Sequence, residues 1–154
     1  MSNVIFKMAR TYIRDGRSPI PVNENISKSF SGNKAKGTKP ELILRKSLWS
    51  ANLKGYRLNV NKLIGKPDIV FTSKRIAIFV HGCFWHRCNK CNPNFPKSNI
   101  EFWNKKFSKN IERDNHNLAQ LIALNWKVII IWECQIKKDI GAVVEAIKID
   151  LLKS

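Results

Sequence analysis

The sequence predicts a mixed α/β sandwich, a small sheet flanked by helices and folded as one domain. Apolar residues recur at intervals of three and four in three stretches, the pattern of helices with one buried face. Three short runs rich in Ile and Val, bounded by turn residues, read as strands. A chain of 154 residues, 44% hydrophobic and 25% charged, suits a single globular core, and five Trp and eight Phe add large apolar side chains. The resulting order is helix, hairpin, helix, strand, helix, with no internal repeat and no second domain.

Residues 1–37 are expected to be a basic N-terminal arm and 38–154 the domain. Residues 15–37 are rich in Gly, Ser, Pro, Asn and Lys without a sustained period, and Arg10, Arg14 and Arg17 lie within the arm. Thr38-Lys39-Pro40-Glu41 has the shape of a capping box, and Leu44 and Leu48 carry the helix that follows to about Leu53. Gly65-Lys66-Pro67-Asp68 is a turn feeding Ile69-Val70-Phe71. A second run from Arg75 to Val80 follows Thr72-Ser73-Lys74, which makes a hairpin.

From Ile100 to about Leu124, residues Trp103, Phe107, Ile111, Leu118 and Leu121 mark a long amphipathic helix. Asp114 falls on the same stripe, so a carboxylate projects from the face meant for the core and needs a buried partner. Trp126 to Glu133 is the third strand. Ile140, Val143, Ile147 and Leu151 mark a closing helix.

The charge balance points to a polyanionic partner. Twenty-eight Lys and Arg against eleven Asp and Glu leave +17, spread along the whole chain rather than on one amphipathic face. Nucleic acid is therefore expected and a membrane surface is not. The longest apolar runs, Ile76 to Val80 and Val128 to Trp132, are far shorter than the roughly 20 residues of a membrane span. The N-terminus lacks a secretory signal, so a cytoplasmic protein is expected, associated with a prokaryotic-type nucleoid. In that compartment the four Cys are better metal ligands than disulfides.

The chemistry is concentrated in His81-Gly82-Cys83-Phe84-Trp85-His86-Arg87-Cys88-Asn89-Lys90-Cys91, directly after a buried strand. Cys83, Cys88 and Cys91 form C-x4-C-x2-C, and Cys134 comes at the end of the third strand, so all four can close one tetrahedral thiolate site for structural zinc. The competing reading is four reduced Cys acting as small hydrophobes, which leaves three of them clustered among polar residues for no reason. His81 and His86 then remain over. Either is ordinary packing taken alone, and Pro67-Asp68 is ordinary turn chemistry. Together, a carboxylate entering one strand and two His at the end of the next can surround a divalent ion and an attacking water.

These residues resemble a known family. Thr38-Lys39-Pro40-Glu41-Leu42, Gly65-Lys66-Pro67-Asp68, Phe79-Val80-His81-Gly82-Cys83-Phe84-Trp85-His86, Glu101-Phe102-Trp103, Asn110-Ile111-Glu112-Arg113-Asp114 and Trp132-Glu133-Cys134 are similar in order and spacing to the very-short-patch-repair (Vsr) mismatch endonucleases, from about residue 27 to 136. That family is a branch of the restriction-endonuclease-like PD-(D/E)xK nucleases.

The resemblance implies a magnesium-dependent endonuclease that nicks one strand of duplex DNA beside a T:G mismatch, initiating short-patch repair of deaminated 5-methylcytosine. Asp68 and the backbone carbonyl of Val80 would hold magnesium, both being hard oxygen ligands. Glu41 would supply a second carboxylate, since the second strand lacks the usual acidic residue and lysine; its alternative is a helix cap. His86 would be the general base, Asp114 the group that orients it, and His81 an aid at the scissile phosphate. Phe84 and Trp85 would wedge into the base stack, with Phe30 entering from the other groove, and Lys106 and Asn110 would reach the DNA near the cut. Adjacent residues of an extended segment point to opposite sides, which favours wedges over two neighbours in one core.

Two departures stand out. Many relatives have His where this chain has Cys88, with Lys90 an insertion, and residues 1–26, with Arg10, Arg14 and Arg17, exceed the shortest relatives and would extend the DNA contact. The expected partners are mismatched double-stranded DNA and other repair proteins, the protein acting as a monomer. Two other functions remain in view: a restriction-type nuclease cutting unmismatched DNA with the same residues, and a non-catalytic zinc-stabilised DNA-binding protein. The second leaves Asp68, His86 and Asp114 without a joint role.

Overall fold

A computed structural model describes Pro19 and residues 36–153. The arm expected over 1–37, Phe30 included, lies outside the described residues apart from Pro19 and residues 36–37. The described elements are helix α1 (Lys39–Ser50), strands β1 (Arg57–Leu58) and β2 (Ile69–Phe71), a one-turn 3₁₀ helix (Thr72–Lys74), strand β3 (Ile76–His81), helix α2 (Ile100–Ala123), strand β4 (Lys127–Trp132), and helices α3 (Glu133–Lys138) and α4 (Ile140–Leu152). They form a mixed α/β architecture around one open sheet of four strands in the order β1-β2-β3-β4.

The expected hairpin is β2 and β3, antiparallel with Ile69 opposite Ile78 and Phe71 opposite Ile76. β1 extends it on the outer edge, pairing Arg57 with Val70. β4 lies parallel to β3 in register from Ile76 and Lys127 to His81 and Trp132. Parallel neighbours need a long crossover, and α2 supplies it. The chain therefore leaves both strands at the same end of the sheet, which places the two segments that follow side by side.

Alternation along β3 separates two cores. Ile76 and Ile78 join Leu44 and Leu48 of α1, Ile136 of α3, and Val143, Val144 and Ile147 of α4 on one face. Ala77 and Phe79 face Leu121 of α2, with Leu118, Trp126 and Val128 packed around them, on the other. The long segment between β1 and β2 closes over this second core through Leu63 and Ile64.

The structure adjusts several expectations. Arg75 does not begin β3. It adopts a left-handed backbone (φ 50°) that ends the 3₁₀ turn, and its guanidinium donates to the carbonyls of Leu124 and Asn125 just beyond α2. α1 stops at Ser50, where Asn52 turns left-handed (φ 58°), rather than near Leu53. Ile111 was expected on the buried stripe of α2 but is 41% exposed, because it lines an open cleft together with Ile130 and Trp132 of β4. Cys134 does not end a strand, since α3 begins at Glu133 and carries it in its first turn.

Candidate active site

The segment after β3 winds into tight turns instead of continuing extended. The amide of His86 donates to the Gly82 carbonyl at 3.2 Å, Cys88 to Cys83 at 3.0 Å, and Asn92 to Cys88 at 3.1 Å. This winding brings Cys83, Cys88 and Cys91 to the first turn of α3, where the four Sγ atoms, Cys134 included, lie within 4.8 Å of one another. Cys88 and Cys134 are 3.8 Å apart, sulfur to sulfur, and all four thiols are free of disulfides. A tetrahedron of roughly 2.3 Å metal–sulfur bonds has edges of about 3.8 Å, so the cluster fits a metal ion of the size of zinc. The Cys134 amide donates to Cys83 Sγ at 3.3 Å, the kind of outer contact that orients a ligating thiolate. Burial pushes the Cys83 thiol well above its ordinary range. At Cys88 the amides of Cys91 and Lys90 outweigh burial and bring the thiol down.

Beside this cluster stand the two histidines. His81 is buried at the end of β3, stacked on His86 with ring centroids 3.9 Å apart and met edge-on by Trp132, its partner in β4. Burial first, and the neighbouring His86 second, hold the His81 imidazole down at about 4, so the ring is neutral near pH 7. His86 Nδ1 bonds Asp114 Oδ2 on α2, which supplies the partner that the misplaced carboxylate required. Burial works against the Asp114 charge, but the contacts with His86 and Arg113 prevail and keep its pKa below the ordinary carboxylate value. A cleft of ≈ 270 Å³ opens here, lined by His81, His86, Asp114, Arg87, Asn89 and Trp132 among others.

Asp68 lies just before β2, where its Oδ2 accepts the Val80 amide at 2.7 Å and its own amide donates to the Ile78 carbonyl at 3.0 Å. The carboxylate is thereby fixed against the Val80 backbone, and the two offer hard oxygen donors of the kind magnesium takes. Burial pushes Asp68 up to about 6 against the bond from Val80; the Glu41 charge adds to the rise and His86 opposes it. Asp68 does not itself line the cleft.

Glu41 is buried at the start of α1, but not in the expected reciprocal capping box. Its Oε2 accepts from the Gly37 amide and its Oε1 from the Thr38 hydroxyl, both at 2.8 Å, and Thr38 caps no helix amide. Pro40 removes one N–H from the helix start, and the carboxylate instead closes the turn leading into α1.

The idea that Phe84 and Trp85 cannot share one core is corrected by the turn geometry. Both rings contact Trp103 of α2, at 5.3 Å and 5.9 Å between centroids, and Phe84 also meets Phe107. Both stay half-buried. Lys106 is half-buried on α2, whereas Asn110 is buried and its Nδ2 donates to the Trp85 carbonyl at 3.0 Å. Two neighbours escaped the sequence reading. Arg87 lies over Phe95 and Phe107, at 5.3 and 4.9 Å, and lines the cleft. Glu133 accepts the Cys83 amide at 3.4 Å. Arg87 sat in plain view within the cysteine segment, while Glu133 gave only its place beside Cys134.

Comparison with known proteins matches this arrangement to a family. A family model described as DNA mismatch endonuclease Vsr matches residues 21–92. The type II nicking enzyme V.NmeAIP of Neisseria meningitidis serogroup A is 46% identical over 105 residues, covering 67% of this chain and 73% of that protein. V.NaeI of Lentzea aerocolonigenes, also a type II nicking enzyme, is 36% identical over 140 residues, 86% of this chain and 82% of its own. The DNA mismatch endonuclease Vsr of Escherichia coli is 40% identical over 82 residues, 53% of each chain. With such identities over most of its length, the chain belongs to the Vsr family of endonucleases, enzymes that act on DNA by nicking a strand.

Proposed function

We propose that this endonuclease nicks one strand of duplex DNA beside a T:G mismatch, in a magnesium-dependent reaction that initiates short-patch repair of deaminated 5-methylcytosine. The observation that carries the reading is the His86–Asp114 pair on the wall of an open cleft, with Asp68 held against the Val80 backbone nearby. In this reading the sheet and its flanking helices are a restriction-endonuclease-like core, and the four Cys hold structural zinc, a closed site with no position left for substrate.

Asp68 and the Val80 carbonyl hold magnesium, with Glu41 the nearby second carboxylate. The ion supplies Lewis-acid chemistry at the scissile phosphate. Asp114 accepts a hydrogen bond from the Nδ1–H of His86, which fixes the tautomer and leaves Nε2 to accept a proton from the attacking water. His81, neutral and stacked on His86, keeps that ring in plane and offers a hydrogen bond at the phosphate. Phe84 and Trp85, propped on Trp103, form a half-buried shelf that wedges into the base stack, and a wedge role for Phe30 belongs to the same reading. A T:G wobble is easier to unstack than a matched pair, and unstacking costs a few kcal/mol per step. Lys106 contributes charge along the same helix.

A second reading is a restriction-type nuclease that cuts matched duplex with the same residues; the relatives named type II nicking enzymes carry no mention of a mismatch in their names. Nicking assays on T:G and C:G duplexes of one sequence separate the two. Faster cutting of T:G with magnesium, and none with EDTA, supports the proposal; equal cutting of both duplexes supports the second reading. Asp68→Ala is expected to abolish nicking with DNA affinity nearly unchanged, and wild-type nicking by that variant would remove Asp68 from the reaction.

A further inference from the structure

Asn110 and Asp114 are four residues apart on α2 and therefore face the same way, one turn of about 5.4 Å apart. Each grips the same short piece of the loop after β3. Asp114 takes the His86 imidazole, and Asn110 Nδ2 donates to the carbonyl of Trp85, the residue just before it. That carbonyl is half of the peptide group joining Trp85 to His86. The other half, the His86 amide, donates to the Gly82 carbonyl at 3.2 Å. A peptide group is planar, so pinning its C=O and its N–H pins the plane and with it the direction in which His86 leaves the backbone.

We propose that Asn110 is a positioning residue for strand cleavage, clamping the Trp85–His86 peptide so that the His86 ring meets Asp114 before any DNA arrives. Asn110 is buried, 8% exposed, with its Nδ2 already committed to this carbonyl. The chemistry is directional: the Trp85 carbonyl can only accept, so the side chain must donate. An Asp of the same shape would set acceptor against acceptor. The resemblance gives Asn110 a DNA contact, and the clamp is a role of its Nδ2 in the free protein, separate from that contact. The inference builds on the reading of His86 as general base, although the clamp can be observed without it.

The test uses the full chain with its metal cluster loaded and no DNA. In the wild type, NMR should show a through-hydrogen-bond coupling between Asn110 Nδ2 and the Trp85 carbonyl, and a downfield His86 Nδ1 proton. In Asn110→Asp and Asn110→Ala that His86 signal should shift or broaden. With magnesium and duplex, kcat should fall about 10- to 100-fold, as for other outer supports of a reacting group, with KM and T:G preference little changed. The clamp is overturned if the wild-type coupling is absent. It is also overturned if the variants keep the His86 signal and lose only KM and T:G preference, which would make Asn110 a DNA contact. Should both variants fail to fold, the wild-type coupling decides alone. If His86→Ala nicks normally while that coupling is present, the base reading fails and the clamp survives.

Discussion

Asp114 sits between the His86 imidazole and the Arg113 guanidinium, 3.0 Å from the latter, and these neighbours keep its pKa below the ordinary 3.8 despite partial burial. A depressed carboxylate pKa contributes stability that is fully present above the unfolded value and is lost as the pH falls through the folded one. Asp114→Asn is therefore expected to flatten the acid limb of stability against pH below about 4, read by denaturant melts at stepped pH. At neutral pH the same variant is expected to lower the nicking rate, toward the roughly 10²- to 10⁴-fold attributed to general-base catalysis, because the amide leaves the imidazole tautomer unfixed. A steep acid limb retained by the variant would assign the acid sensitivity to other groups.

At the scale of elements, the Gly65 turn and the α3 helix decide where the site residues stand. Gly65 has φ 73°, and a Cβ there would lie 3.1 Å from Asn117 Cβ and 3.2 Å from Phe79 Cε1, so the loop before Asp68 rests directly on α2 and β3. Gly65→Ala is expected to cost about 1–3 kcal/mol, from left-handed strain and overpacking together, measured by urea unfolding. A neutral substitution would mean that the loop can lift away. α3 presents Cys134 to the three loop Cys, which tie the turns after β3 to the end of β4. Cys134→Ser is expected to lose bound metal and lower the melting temperature before it affects chemistry specifically. Elemental analysis and calorimetry of the purified variant check this, and an unchanged metal content would exclude Cys134 from the cluster.

For the whole molecule, the net charge of +17 dominates its encounter with DNA. Affinity is expected to fall steeply with salt, by roughly 10³ to 10⁵ between about 50 and 200 mM if 6–10 phosphates are neutralised. Titrations at several salt concentrations give the slope, and a flat dependence would rule out a phosphate-dominated interface. Among the described residues no helix is long and apolar enough to cross a membrane.

Much of this was legible locally. Three- and four-residue periods marked α1, α2 and α4, and continuous apolar runs bounded by turn residues marked β2, β3 and β4, because those signals arise from each segment's own burial. The gathering of the four Cys was legible too, since few arrangements explain three thiols in one polar loop. The misplaced Asp114 announced a partner without naming it. β1, with only two residues, and α3, with six, are too short to show a period. The sequence by itself thus determined the kinds of element, their order and the ligand chemistry, all written in neighbouring residues. Tertiary structure alone decided which residues meet. The parallel register of β3 and β4 brings Cys134 to Cys83, and the docking of α2 sets Asp114 on His86 and Asn110 on Trp85. It also turned Phe84 and Trp85 onto one aromatic shelf, because the amide bonds that wind the loop depend on the strand end and helix face that hold it in place.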